Sequence, residues 1–276
     1  MQKNITNFDL KKIRKNLLEN IVTAAYSAGA SSAHLGGALS MIDIINIIFS
    51  KFINLTPANI KDIDRDYFIL SKGHACLAYY SILAEKGFFD KEQLKEFEKN
   101  DSPLLGHPVL NKNYGIDFST GSLGIGISIA VGLAIGLKKK KSNNHVYVIL
   151  GDGECNEGSV WESFMSASNF KLDNLTVVID HNKFQQTGSN KEILDTLSLK
   201  EKMSSFGFQA IEINGHDLIE LEAAFQENLI NKPKCIIANT TKGKYLSFAE
   251  NNNRFHHAIL TKTLYDQAIN EIGELE

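Results

Sequence analysis

VYVILGDGECNEG, residues 146–158, runs an unbroken apolar segment into an acid set between two glycines. The apolar part, 146–150, reads as a strand buried on both faces, because alternation is absent and the run stops at Gly151. LTVVID (175–180) repeats the pattern, and DYFIL (66–70), FQAIEI (208–213) and CIIANT (235–240) read as further strands, the last two also buried. Helical spacing predicts helices over 8–29, 40–50, 75–86, 91–99, 122–138, 157–170 and 217–230. The stretch 100–120 carries Pro103, Gly106, Pro108 and Gly115 and reads as a loop. Strands alternating with helices imply an α/β fold, a mostly parallel twisted sheet with helices on both faces. No repeat, linker or composition shift divides the chain, so 1–276 is expected to be a single domain.

The whole-chain figures agree. At 276 residues, 43% apolar and 22% charged, the chain has the makings of one large globular core and not of disorder. A net charge of −3, with arginine only at Arg14, Arg65 and Arg254, argues against nucleic-acid binding. Cys76, Cys155 and Cys235 are scattered, which fits free thiols in a reducing compartment. MQKNITNFDLKKIRKN has no apolar core and does not read as a secretory signal. Ile125–Leu137 falls short of the roughly 20 residues that span a bilayer. The expectation is a cytoplasmic protein with no membrane contact.

Ligands of open parallel sheets bind beyond the carboxyl ends of the strands. Those positions here are Ser71-Lys72-Gly73-His74, Gly151-Asp152-Gly153-Glu154, Asp180-His181-Asn182-Lys183 and Thr240-Thr241-Lys242-Gly243. Asp152 and Asn182 end the two strands of one βαβ unit, and neighbouring strands lie about 4.8 Å apart. A carboxylate and an amide so placed suit Mg²⁺, which takes few protein ligands and bridges them to phosphates. Gly151 and Gly153 allow close approach of a phosphate, and the next helix start adds donors. TGSLGIGISIAVG (120–132) opens a helix of small side chains against which something must pack tightly; it lacks a Walker lysine. His34, His74, His107 and His256 sit in loop contexts and suit proton handling against a hydroxylated substrate. His145 and His216 read as plain turn residues, and His181 as a neighbour of the metal.

In this order, GDGECNEG, IDHNKFQQTG, SKGHA, LGHPV, TGSLGIG and TKGK resemble the thiamine diphosphate domain of transketolases. The likeness runs over nearly the whole chain and is nearest to the N-terminal subunits of split transketolases. It implies a thiamine diphosphate-binding fold of the PP type. It also implies Mg²⁺ (or Ca²⁺ or Mn²⁺) held by Asp152, Asn182 and the carbonyl of Phe184, with the metal and Gly153 anchoring the diphosphate. Lys72, His74 and Lys242 would flank the cofactor, Gly121, Ser122 and Leu123 would contact its rings, and Gln186 would be a further contact. His34, His107 and His256 would face the sugar hydroxyls, His256 being preferred over His257. Glu157 and Glu162 would link paired active sites across a dimer, with the helices at 40–50 and 122–137 as interface candidates.

The implied reaction moves a two-carbon ketol unit from a ketose or ketose phosphate to an aldose through the cofactor's carbanion chemistry. The glutamate that activates the cofactor belongs, in this family, to a pyrimidine-binding domain, which is expected on a separate C-terminal subunit in an α2β2 assembly. The other readings are a different thiamine diphosphate enzyme, such as a 1-deoxyxylulose-phosphate synthase-like carboligase or a 2-oxo acid decarboxylase, and a non-catalytic cofactor-binding subunit. Three places depart from the family pattern: Ala33 before His34, Ile125 where glutamine is expected, and His257-Ala258-Ile259 in place of Gly-x-Pro. All are expected to lie beside substrate-facing positions.

Overall fold

A computed structural model describes residues 5–227 and 230–275; Met1–Asn4 of the N-terminal stretch read above lie outside them. Five parallel strands form one sheet in the order β1-β2-β3-β5-β4: β1 (Tyr67–Leu70), β2 (Val146–Gly151), β3 (Leu175–His181), β4 (Gln209–Asn214) and β5 (Lys234–Asn239). Pairing of β2 with β3 runs from Val146 opposite Leu175 to Gly151 opposite Asp180, so the GDG and DHN segments leave the sheet side by side.

Helices cover both faces. One core gathers Phe68, Tyr147, Ile149, Val178 and Ile236 under α1 (Asn7–Ser27), α2 (Gly36–Ser40), α3 (Ile42–Ile47), α4 (Cys76–Glu85), α9 (Leu218–Gln226) and α10 (Lys262–Gly273). The other gathers Ile69, Val148, Leu150, Val177 and Ile237 under α5 (Ile125–Lys139), α6 (Gly158–Asn169) and α8 (Leu199–Ser205). A short α7 (Asn190–Ile193), closed by a Ser189–Glu192 capping box, follows the loop after β3. Alternate strand residues thus feed opposite cores, which is why the strand segments read as continuous apolar runs.

Four expectations change. The 91–99 helix is a 3₁₀ segment, Lys91–Glu96: only Leu94 and Phe97 of this polar stretch are buried, too few to hold a longer amphipathic face. The small-residue helix starts at Ile125 and not at 122, because Gly124 takes φ +80° at its N-cap. β4 is not a buried strand but a half-exposed edge, paired only with β5. The 217–230 helix ends at Gln226, and residues 228 and 229 lie outside the described residues. Among the described residues no helix is long and apolar enough to cross a membrane.

Candidate active site

Beyond the carboxyl ends of β1, β2 and β3 lies a cavity of about 370 Å³. Lys72, His74, Gly121, Leu123, Asp152, Gly153, Asn182, Phe184 and Gln186 line it, with His34, His107, His256 and Glu157. Loops that are remote in sequence close around it. Gly121 holds φ +147°, and a Cβ there would stand 3.0 Å from the His107 ring; a Cβ on Gly73 would stand 2.8 Å from the Gly121 nitrogen. The tight packing expected at the TGSLG loop is therefore made against the SKGH turn.

The floor is a buried polar network. Asp180, wholly buried, accepts from Ser40 Oγ at 2.5 Å, from the Lys72 ammonium and from the Thr240 hydroxyl. Burial opposes its ionisation, but the Lys72 charge and these donors outweigh that and keep it below the ordinary carboxylate range. Lys72 also donates to the Gly37 carbonyl at 2.8 Å, so its charge is spent inside the protein, and its stem lines the cavity. Glu154, equally buried, accepts from the Gly124 N–H (2.9 Å), the Gly151 N–H (3.1 Å) and the Ser71 hydroxyl, tying the TGSLG loop to β1 and β2. Sequence reasoning singled out neither Asp180 nor Glu154. Both follow a predicted strand in the quoted tetrapeptides, which was the available signal.

Asp152 differs from both. Its oxygens accept only backbone N–H groups, from Lys183 at 2.6 Å and Gly153 at 2.9 Å. Among the described residues no lysine or arginine pairs with it. Burial first, and then the Asp180 charge, push its pKa up to about 6. A buried carboxylate in that position calls for a cation. Asn182 Oδ1 lies on the same side, accepting only from the Phe184 N–H at 3.1 Å. No cluster of three or more His, Cys, Asp or Glu suited to a metal occurs among the described residues. A cation here would therefore rely on one carboxylate, an amide, a carbonyl and ligand oxygens.

Lys242 completes this side. Its ammonium donates to the Gln185 carbonyl (3.0 Å) and to Asn253, and meets His256 Nδ1 at 3.1 Å. Burial and the Lys72 charge bring it down to about 8, and no carboxylate pairs with it among the described residues. Its hydrogen-bonding partners are all neutral groups.

The rest of the lining is rich in imidazoles. His34 lies 5.4 Å from His74, 5.8 Å from His107 and 5.4 Å from His256, centroid to centroid. Burial, followed by its histidine neighbours, lowers His34 to about 3; burial and Lys242 lower His256 to about 4; burial and Lys72 hold His74 well below the usual value. These rings are neutral at pH 7 and can each donate and accept. The sign for stability follows. Below pH ~6.5 the unfolded chain takes up protons that the folded chain refuses, so stability falls as pH drops towards 4. Each of His34 and His256 should remove somewhat less than about 1 kcal/mol between pH 6.5 and 5.5, because the unfolded ring is only half protonated at the start of that window and both folded rings are partly exposed. Urea midpoints of the cofactor-free chain at the two pH values, compared with those of His34→Gln and His256→Gln, measure this.

Ser122, an expected cofactor contact, lies elsewhere, and three histidines are held by partners within the protein. Ser122 is exposed and sits with Ile125 on a separate shallow depression, while Gly121 and Leu123 on either side of it line the cavity. His181 turns to Asn239 Oδ1 at 2.9 Å. His145 and His216 are not plain turn residues: His145 Nε2 meets Thr176 Oγ1 at 2.8 Å, while His216 bridges buried Asp43 (3.0 Å) and the Thr241 N–H (3.0 Å).

The family model of the transketolase thiamine diphosphate-binding domain matches residues 14–273. The chain belongs to the transketolase family. Among transketolase relatives, one subunit of the apulose-4-phosphate transketolase of Actinobacillus succinogenes is 38% identical over 274 residues, covering 98% of each chain. The 6-deoxy-6-sulfo-D-fructose transketolase subunit SqwG of a Clostridium species is 36% identical over 262 residues, covering 94% of this chain and 93% of that protein. The structure of transketolase from Campylobacter jejuni superposes with a TM-score of 0.88 at 30% identity. The match covers 97% of this chain and 43% of that one, so this transketolase-family chain spans less than half the length of that solved relative.

Proposed function

We propose that the chain is the thiamine diphosphate-binding subunit of a two-component transketolase. It would transfer a two-carbon ketol unit from a ketose or ketose phosphate to an aldose, together with a separate C-terminal subunit that carries the pyrimidine-binding domain. The observation that carries the reading is the cavity itself: a buried carboxylate without a cationic partner among the described residues shares its lining with four imidazoles. Relatives of the same length are themselves named as transketolase subunits, which supports the split arrangement.

Asp152, Asn182 and the Phe184 carbonyl would hold Mg²⁺, for which Ca²⁺ or Mn²⁺ could substitute. Gly153 and Lys242 would receive the diphosphate, with His74, Gly121, Leu123 and Gln186 around the rings. When bound, thiamine diphosphate supplies a ring-stabilised carbanion for breaking and making bonds beside a carbonyl. The chain's own part is then positional and protic. His34, His107 and His256, with His34 within 6 Å of the other two, would hydrogen-bond sugar hydroxyls and carry protons at the sugar oxygens.

The assembly is read as α2β2 and the location as cytoplasmic. Glu157 and Glu162 are exposed at the start of α6, as a role across a dimer interface requires. The exposed side of α5 and α6, with Ile125, Met165 and Phe170, offers that interface an apolar face. The 40–50 segment does not: every residue of it is buried within this chain.

The test reconstitutes chain and partner with thiamine diphosphate and Mg²⁺ and supplies either a ketose donor or pyruvate. Ketol transfer to an aldose from the ketose, with no product from pyruvate, is the expected outcome. Product from pyruvate alone would favour the synthase-like reading, and bound cofactor without turnover on either donor would favour a non-catalytic role.

A further inference from the structure

His257 lies outside the cavity lining, yet it is tied to that lining through the backbone and through its ring. Ala33 and Ala258 form an isolated antiparallel bridge, exchanging both N–H···O bonds at 3.0 Å. That register sets His34 directly opposite His257. Positions next to a doubly hydrogen-bonded pair bring side chains closest together, and the two rings stand 4.3 Å apart, inclined by 36°. This is the shortest of the imidazole separations around His34.

The His257 ring has a second neighbour in Ser32. Ser32 Oγ donates its one proton to the Ser31 carbonyl at 2.6 Å. That oxygen lies 2.9 Å from His257 Nε2 and 3.3 Å from Nδ1, so it can accept from whichever ring nitrogen carries the proton. Ser32 keeps φ +58°, a left-handed value that side chains other than glycine rarely adopt. Such a conformation persists where the surroundings impose it, and here Oγ lies within reach of both ring nitrogens.

We infer that His257, held beside Ser32, is a positioning residue for His34: it fixes the His34 ring so that the cavity lining presents an oriented hydrogen-bonding edge to the hydroxyl groups of a sugar chain. The inference rests on the functional reading above and refines it, assigning specificity at the cavity mouth to a residue that touches neither cation nor cofactor site. Two rings this close resist double protonation, and His257 is, after burial, the next influence keeping His34 uncharged. A neutral His34 selects hydroxyl groups by hydrogen bonding and does not draw anions by charge.

The experiment uses the reconstituted two-component enzyme and His257→Ala, which removes the ring and leaves the bridge backbone in place. KM for the sugar substrate should rise about five- to twentyfold, with kcat changed less than about threefold. The affinity for thiamine diphosphate should not move. His257→Phe, which restores a ring against His34, should recover most of the lost KM; His257→Asn, which offers only an N–H to Ser32, should not. Independently of turnover, the imidazole ¹⁵N signals of His34 should report one neutral tautomer in the native chain and a tautomer mixture in His257→Ala. Unchanged KM, unchanged His34 signals, or no rescue by phenylalanine would each overturn the inference. A native assembly that transfers no ketol unit would instead overturn the functional reading, and the His34 signals would still decide the pairing.

Discussion

Asp152→Asn will abolish cofactor-induced stabilisation of this chain while leaving the cofactor-free chain at least as stable as the native one. The two halves have opposite signs for one reason. In the cofactor-free chain the Asp152 carboxyl is raised from 3.8 to about 6 by burial and by Asp180. As pH rises from ~4 to ~6 the unfolded chain releases this proton before the folded chain does, so stability falls across that window and the penalty is complete at pH 7. At ~1.4 kcal/mol per pH unit the penalty is about 3 kcal/mol. The asparagine carries no charge and escapes it. It loses the bond to one of the two N–H groups now satisfied, of Lys183 and Gly153, at about 1 kcal/mol. The native chain recovers its penalty when a cation arrives, and at a hundredfold excess over Kd the ligand adds about 2.7 kcal/mol. Thermal melts with and without thiamine diphosphate and Mg²⁺ read both halves. Turnover of the assembled enzyme should fall by at least about a hundredfold, as expected when a charged metal ligand is lost. A variant that still gains stability from the cofactor would remove Asp152 from the cation site.

The strand ends were legible because one rule links sequence to place. A buried parallel strand must stop where the apolar run stops, and ligands gather beyond that edge. Asp152, Asn182, His74 and Lys72 are all reached in this way. The roles inside the edge were less legible. Lys72 and Lys242 look alike in sequence, each beside a glycine after a strand, yet one is neutralised by Asp180 and the other has no acidic partner among the described residues. Only the neighbouring loops decide which. The departures from the family pattern show the same limit. Ala33 and His257-Ala258 stand at opposite ends of the sequence, and nothing in either segment says that they pair; the bridge that joins them exists only once α1 and the loop after β5 are folded together. Ile125, expected beside the substrate, lies outside the cavity because the Gly124 turn points the first residue of α5 outward. Hydrophobicity alone makes the 40–50 helix a candidate interface, and hydrophobicity does not distinguish a surface awaiting a partner from one already covered by α4 and α9.

Asp180→Asn should be the most destabilising single change near the site, and Lys72→Met a milder one, although the two residues form one ion pair. The pair is buried on both sides, with relative exposures of 1% for the Lys72 side chain and 0% for Asp180. Removing one partner leaves the other as an uncompensated buried charge, at a cost of about 3–5 kcal/mol. What remains around the survivor differs. Without Lys72, the Asp180 carboxylate keeps the Ser40 and Thr240 hydroxyls and the Asn182 amide, the last at 3.2 Å. In Asp180→Asn the Lys72 ammonium keeps only neutral acceptors, the Gly37 carbonyl and the amide oxygen of the asparagine. The loss for Asp180→Asn should therefore sit at the upper end, lowering the melting temperature by about 10 °C or more for a chain of this size. The double variant Lys72→Met/Asp180→Asn leaves no charge stranded and should be more stable than Asp180→Asn alone, giving a coupling of at least about 1 kcal/mol in the cycle. Were the two single losses equal and additive, the pair would not be acting as a buried ion pair. The site should feel the change too. Asp180 anchors the Asn182 amide and raises the Asp152 carboxyl, so the asparagine variant should bind thiamine diphosphate and Mg²⁺ more weakly even at temperatures where it is fully folded.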